Sequence, residues 1–122
     1  MVELNLLLVG VGGVFGGLFR FQLGKVVSQK ANTIFPIATF LINISGAFLL
    51  GLLTGIEPVN RVYLLLGDGF CGAYTTFSTF MYEGLHLVQK SEQLNAVLYV
   101  LGTLFGGVTG YVCGLVIGKN II

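Results

Sequence analysis

A chain of 122 residues sets one compact domain as the ceiling. Hydrophobic residues make up 55% of it and charged residues only 9%, against roughly 25% charged in a soluble domain. So few charges cannot clothe a water-exposed surface, and lipid must cover most of it. The formal net charge of +1 and the lack of any basic run exclude an electrostatic footprint for nucleic acid. Cys71 and Cys113 lie inside apolar segments and read as small buried side chains rather than as a disulfide or a metal site.

A membrane-spanning helix needs ~20 predominantly apolar residues. The first such stretch runs charge-free from Leu4 to Phe19, and Arg20 then interrupts an apolar run that continues to Leu23. It has no basic start and no convincing cleavage site, so it is expected to be a retained span rather than a signal peptide. Gly12 and Gly16, and likewise Gly13 and Gly17, are four residues apart, which puts each pair on one helix face. A polar connection is expected from Lys25 to Phe35. Pro36 then opens the second helix, since its missing N–H is no loss in a first turn. Ile37 to Ile56 carries no charge, pairs Gly51 with Gly55, and holds Asn43 in its middle with Thr39 and Ser45 on either side. A polar side chain inside a span is costly and is a functional candidate by default. Asn43 either bonds a neighbouring helix or meets an ion.

After a link of Glu57, Pro58, Val59 and Asn60, the stretch Val62 to Val88 is long and hydrophobic but includes Asp68, Glu83 and His86. Its glycines Gly67, Gly69 and Gly72, followed by the β-branched pair Thr75 and Thr76, are poor material for an unbroken helix. A break near Gly72 to Thr76 would free backbone groups at membrane depth, where only protein, ions or water can satisfy them. Freed carbonyls suit a cation, and the start of the next helix suits an anion. The alternative is a glycine-rich but continuous helix. Phe77 and Phe80 are three residues apart and are expected to share a face, where the positive edge of a phenyl ring can meet an anion without trapping it. Glu83 falls one turn later, where it marks an aqueous vestibule, pairs with a cation, or is simply solvated. His86 is read as interfacial.

The last stretch, Leu94 to Ile117, is again free of charge, and Gly102, Gly106, Gly110, Gly114 and Gly118 recur every four residues. Such a stripe lets helix backbones approach closely, a main source of association in lipid. Because four thin helices do not easily enclose a pore, packing is expected both within one chain and between chains. Tyr99 and Thr103 share a face and offer hydroxyls to a neighbour or to a polar track. The fold expected is an all-α membrane protein, one domain over residues 1–122 with four spans of roughly 4–24, 36–56, 62–88 and 94–118. With an even number of spans the termini share a side, which holds Arg61 and Lys119 against Lys25, Lys30 and Lys90 opposite. A difference of one is a weak vote for either orientation, so insertion both ways is expected.

The chain resembles the Fluc-type fluoride channels, also called CrcB proteins. The resemblance covers essentially the whole chain. It rests on Gly12-Gly13 through Gly16 to Arg20, on Thr39 through Asn43 to Gly46, and above all on Gly69-Phe70-Cys71-Gly72-Ala73-Tyr74-Thr75-Thr76-Phe77-Ser78-Thr79-Phe80. It implies an antiparallel, dual-topology homodimer in a bacterial plasma membrane, with the third helix broken at mid-membrane. It implies two pathways through which toxic cytoplasmic fluoride leaves by passive electrodiffusion, and no enzymatic activity. Along those pathways it places the ring edges of Phe77 and Phe80, Asn43 as a hydrogen-bond donor, Tyr99 and Thr103 as a polar track, Glu83 near a vestibule, and also Ser78 and Arg20. The carbonyls of Gly72 and Thr75 match positions that hold a structural sodium ion at the dimer interface, two from each subunit. The sequence departs from the family at Ala38, where glycine is usual, and at Gly106 and Gly107, where a further hydroxyl often extends the track.

Fluoride is small and strongly hydrated, so a pore must replace its water with several donors at once while holding it weakly enough to release. Amide, hydroxyl and ring-edge groups meet that need without full charge. A four-span multidrug transporter needs a carboxylate deep in its first span, whereas Glu3 lies at the extreme start. A non-transporting assembly subunit accounts for the glycines but leaves Thr75 to Phe80 unexplained.

Overall fold

The computed structural model describes residues 2–121, and every regular element among them is helical. In chain order these are α1 (Val2–Lys30), α2 (Ile37–Ile56), α3 (Asn60–Tyr63), a π-helix (Leu64–Cys71), α4 (Gly72–Tyr74), α5 (Ser78–Gln89) and α6 (Gln93–Ile121). Three of them, α1, α2 and α6, are long and apolar enough to cross a membrane. At about 1.5 Å per residue, the 20 residues of α2 match a hydrocarbon core of roughly 30 Å, and the 29 residues each of α1 and α6 overrun it. The chain is a multi-pass membrane protein.

The helix ends follow local chemistry. α1 runs on through Lys25–Lys30, where sequence reading expects a connection, because no glycine or proline interrupts the residues after Gly24. The Ala31 N–H still donates to the Val27 carbonyl at 2.8 Å, while Lys25 and Lys30 remain exposed. Pro36 caps α2 rather than occupying its first turn, and its carbonyl accepts the Phe40 N–H at 3.1 Å. α2 stops at Glu57, whose φ of 55° is left-handed, and Pro58 bars any continuation. Ser91, with φ 62°, closes α5 in the same way. There the Glu92 N–H reaches back to the Leu87 carbonyl at 2.8 Å, completing a Schellman-type cap.

Two glycine seams hold the bundle together. On α6 the whole stripe faces α2. A Cβ on Gly102 would meet the Phe40 ring, one on Gly106 the Ile44 side chain, one on Gly114 the Phe48 carbonyl, and one on Gly118 the Leu52 carbonyl. The second seam joins α1 to the π-helix. A Cβ on Gly12 would collide with the Leu65 carbonyl, and one on Gly16 with that of Phe70. The π-helix has no signature that sequence reading detected; its wider turn sets the buried Gly69 against Val9 and Gly12 of this seam, while the buried Gly67 faces Tyr63 and Leu53. At one end of the bundle a small aromatic core gathers Phe80, Leu87, Ala96 and Tyr99, with Phe35 and Phe40 packed over it.

Cys71 is buried, but Cys113 is exposed, contrary to the expectation for both cysteines. It lies just before Gly114 of the seam and points away from α2, among exposed Val112, Val116 and Ile117. Apolar sequence around a residue does not bury it when the neighbour is lipid.

Candidate functional site

Between Tyr74 and Ser78 the backbone leaves helical geometry. Thr75 is extended (φ −82°, ψ 159°), and α5 begins three residues later. Backbone groups freed inside an apolar bundle need partners, and Asn43 supplies them. Its Nδ2 donates to the Thr76 carbonyl at 2.9 Å, and its Oδ1 accepts the Thr76 N–H at 2.8 Å. Thr76 in turn caps α5, with Oγ1 accepting the Thr79 N–H at 3.3 Å. Thr75 turns both its N–H and its hydroxyl back onto the Cys71 carbonyl, at 3.1 and 2.9 Å. Ser45 spends its one proton on the Ile42 carbonyl, so Tyr74 is the donor in the 2.9 Å bond between the two hydroxyls. The α2 polar residues thus brace the interruption.

The two phenylalanines expected on one face differ sharply in setting. Phe77 is 75% exposed and Phe80 only 6%, because Phe77 precedes the first turn of α5. Their rings still lie 6.2 Å apart, tilted by 49°. Phe80 packs against Tyr99 at 5.2 Å, and Phe35 meets Tyr99 edge-on at 5.5 Å. Tyr99 is wholly buried and its hydroxyl donates to Glu83 Oε1 at 3.3 Å. Thr103, one turn along α6, has a buried Oγ1 with no hydrogen-bond partner among the described residues. Ser78 is exposed at the start of α5, and His86 is exposed and stacked on Tyr82 with ring centres 6.0 Å apart.

Three clefts flank this region. One of about 370 Å³ is lined by Arg20, Thr39, Thr76, Thr79 and Glu83. Arg20 therefore turns into the protein, and its Nε is buried with no partner among the described residues. The second, of about 340 Å³, shares Glu83 and adds His86 and Lys90 at the end of the bundle. The third, of about 440 Å³, lies on the Asn43 side and includes Asp68, Gly72 and Thr75. The Asn43–Thr76 pair stands between the first and third clefts, since Thr76 lines one and Asn43 the other.

Of the candidates, Phe77, Phe80, Tyr99 and Glu83 form one connected group, Arg20 joins it through the cleft it shares with Glu83, and Asn43 is tied to Thr76, the residue before Phe77. Gly72 and Thr75 face the opposite cleft. Sequence reading assigned no separate role to Thr76 or Thr79. A polar doublet at a helix break next to a mid-span asparagine is the signal that picks out Thr76.

A family model described as CrcB-like protein, Camphor Resistance (CrcB), matches residues 7–115. A fluoride-specific ion channel FluC 2 of Clostridium acetobutylicum is 45% identical over 107 residues, covering 88% of this chain and 92% of its own. A fluoride-specific ion channel FluC 1 of Carboxydothermus hydrogenoformans is 42% identical over 111 residues, covering 91% and 90%. A FluC 2 of Moorella thermoacetica is 46% identical over 105 residues, covering 83% and 85%. These relatives are named as ion channels, not enzymes.

Proposed function

Since the chain belongs to the CrcB-like family, we propose that it is a fluoride-selective channel. It lets cytoplasmic fluoride leave by passive electrodiffusion, through two pores of an antiparallel homodimer. The names of its relatives supply the ion. The observation that carries the reading for this chain is the doubly bonded Asn43–Thr76 pair, which keeps an interrupted span stable beside an aromatic and polar track.

In this reading the residues from Asn60 to Gln89 form the fourth crossing, a helix broken at mid-membrane. An asparagine amide has two N–H donors, and Thr76 takes one of Asn43's, so the other is free for an anion. Phe77 presents its ring from the surface of one subunit toward the second copy, and Phe80 follows it inward. The unpartnered Thr103 hydroxyl continues the track. Arg20 lends positive potential to the entrance without entering the narrow part. Fluoride leaves water for neutral donors, which replace its hydration without the deep well a fixed positive charge would create. Export needs no coupling, because neutral HF enters from acid surroundings, dissociates, and leaves its anion concentrated inside.

A dimer accounts for surface that one chain leaves bare. A Cβ on Gly10, Gly17 or Gly107 would meet nothing within 4 Å, so these small residues remain for close approach to another copy. The residues at the proposed interface also fit a sodium ion. Gly72 is exposed and has no side chain to screen its carbonyl, and the extended Thr75 turns its own carbonyl away from the helical path. Carbonyl oxygens are the hard donors such a cation takes. Two pairs would bind it between copies, and the bound ion would neutralise their converging dipoles.

The test is purified protein in liposomes, with fluoride and chloride release followed by ion-selective electrodes. Rapid fluoride release with chloride retained is expected. Vesicles with well-folded protein that hold their fluoride, or release both ions equally, would overturn the proposal.

A further inference from the structure

One charged group of the third segment, Asp68, takes no part in fluoride conduction as proposed. Asp68 sits in the π-helix with Gly67 and Gly69 buried on either side, yet it is itself exposed. It precedes Gly72 by four residues and Thr75 by seven, across the end of the π-helix and into extended backbone. The packing brings the three together, for Asp68, Gly72 and Thr75 line the same cavity of about 440 Å³. Asn43 and Tyr63 add an amide and a phenol to that wall, and no lysine, arginine or histidine does. Among the described residues no side-chain hydrogen bond reaches Asp68. The basic residue nearest in sequence, Arg61, is about two turns away and exposed. A carboxylate within a membrane span is costly unless it is paired or solvated, so this arrangement calls for a cation.

We infer that Asp68 is the anionic partner of the interface cation: the carboxylate of each copy faces the ion held by the Gly72 and Thr75 carbonyls. This rests on the sodium site of the proposed function and changes its character. Four carbonyls alone form a neutral cage suited to a weakly held monovalent ion. Two added carboxylates make the set six hard oxygens with a charge of −2. That number and charge also suit calcium, which takes six to eight oxygen ligands. The site of this chain therefore binds sodium tightly and admits calcium in competition. Opposite charges a few ångströms apart attract strongly where water is scarce, so the carboxylates govern affinity while the carbonyls fix position.

The experiment is equilibrium binding of radioactive sodium to the purified dimer, with calcium as competitor. Wild type is compared with Asp68→Asn, which keeps shape and loses charge, and with Asp68→Glu, which keeps charge. Size-exclusion chromatography checks that each remains dimeric, and fluoride release from liposomes is recorded at saturating sodium. Asp68→Asn is expected to weaken sodium binding by at least about tenfold and to abolish calcium competition. Asp68→Glu should retain both, and all three proteins should still conduct fluoride. If dimeric Asp68→Asn binds sodium as tightly as wild type, the inference fails and the carbonyl site stands. Wild type that conducts fluoride yet binds no sodium overturns the carbonyl site and the role of Asp68 together. If Asp68→Asn is not dimeric at any sodium concentration while Asp68→Glu is, the charge is needed for assembly, which supports the inference.

Discussion

The α2–α6 seam and the interruption before α5 solve opposite problems with opposite materials. Where Gly51 and Gly55 meet Gly114 and Gly118, no side-chain hydrogen bond joins the two helices among the described residues; backbones approach because these glycines have nothing to put in the way. At the interruption the backbone has lost its helical partners, and the Asn43 amide restores them one for one. The seam is therefore intolerant of added volume and indifferent to chemistry. The interruption is intolerant of lost chemistry and has room beside it, in the clefts that Thr76 and Asn43 line. The two regions share α2, which presents glycines to α6 and Asn43 to Thr76.

That contrast is open to graded attack. The largest effect is expected at the seam. Gly114→Leu drives a side chain into the Phe48 carbonyl and the Leu52 amide and should cost about 3 kcal/mol or more. It should leave no monodisperse protein on size-exclusion chromatography, whereas Gly13→Ala, where a Cβ makes only ordinary contacts at 3.8 Å and beyond, should behave as wild type. Next is Asn43→Ala, which strands the Thr76 N–H and carbonyl at a cost of about 1–3 kcal/mol each. Thermal unfolding in detergent should fall accordingly, and fluoride release from liposomes should drop by more than about tenfold. A folded Asn43→Ala with undiminished release would detach the interruption from conduction.

Phe77→Ala is predicted to separate stability from flux. The ring is 75% exposed in one chain, so unfolding of the isolated subunit should shift by no more than about 0.5 kcal/mol, while fluoride release falls severalfold. Phe80→Ala, at 6% exposure, removes part of the aromatic core and should lower both. Smallest is Ser91→Gly, which relieves a left-handed serine (φ 62°) outside both regions. It should stabilise the protein by about 1 kcal/mol and leave release unchanged.

Much of this was legible in the residues. The four-residue recurrence from Gly102 to Gly118 marked the seam because helical periodicity is fixed by geometry. The run Gly72 to Thr76 marked a weak point because glycine and β-branched residues both disfavour helix. Asn43 stood out because amides inside a span are costly. That it would hold both backbone groups of Thr76 depended on the register of α2 against the third segment, which is set by packing between distant stretches. The π-helix between Leu64 and Cys71 has no propensity signal of its own, since its turn widens to fit α1. The continuation of α1 to Lys30 was obscured because polar residues at a membrane surface are compatible with either helix or loop. The burial of Phe80 and exposure of Phe77 depended on where α5 begins, a matter of one turn. Exposure of Cys113 was hidden for a different reason: lipid-facing and protein-facing positions on α6 are both apolar.

The central claim is that neutral donors and ring edges pass one small anion down its own gradient. The most direct measurement is the reversal potential in a planar bilayer, with opposed gradients of fluoride and chloride and pH varied independently. Current that reverses at the equilibrium potential of fluoride, unmoved by the chloride or proton gradient, is predicted. A reversal potential that follows chloride, or shifts with pH at a fixed fluoride gradient, would contradict it.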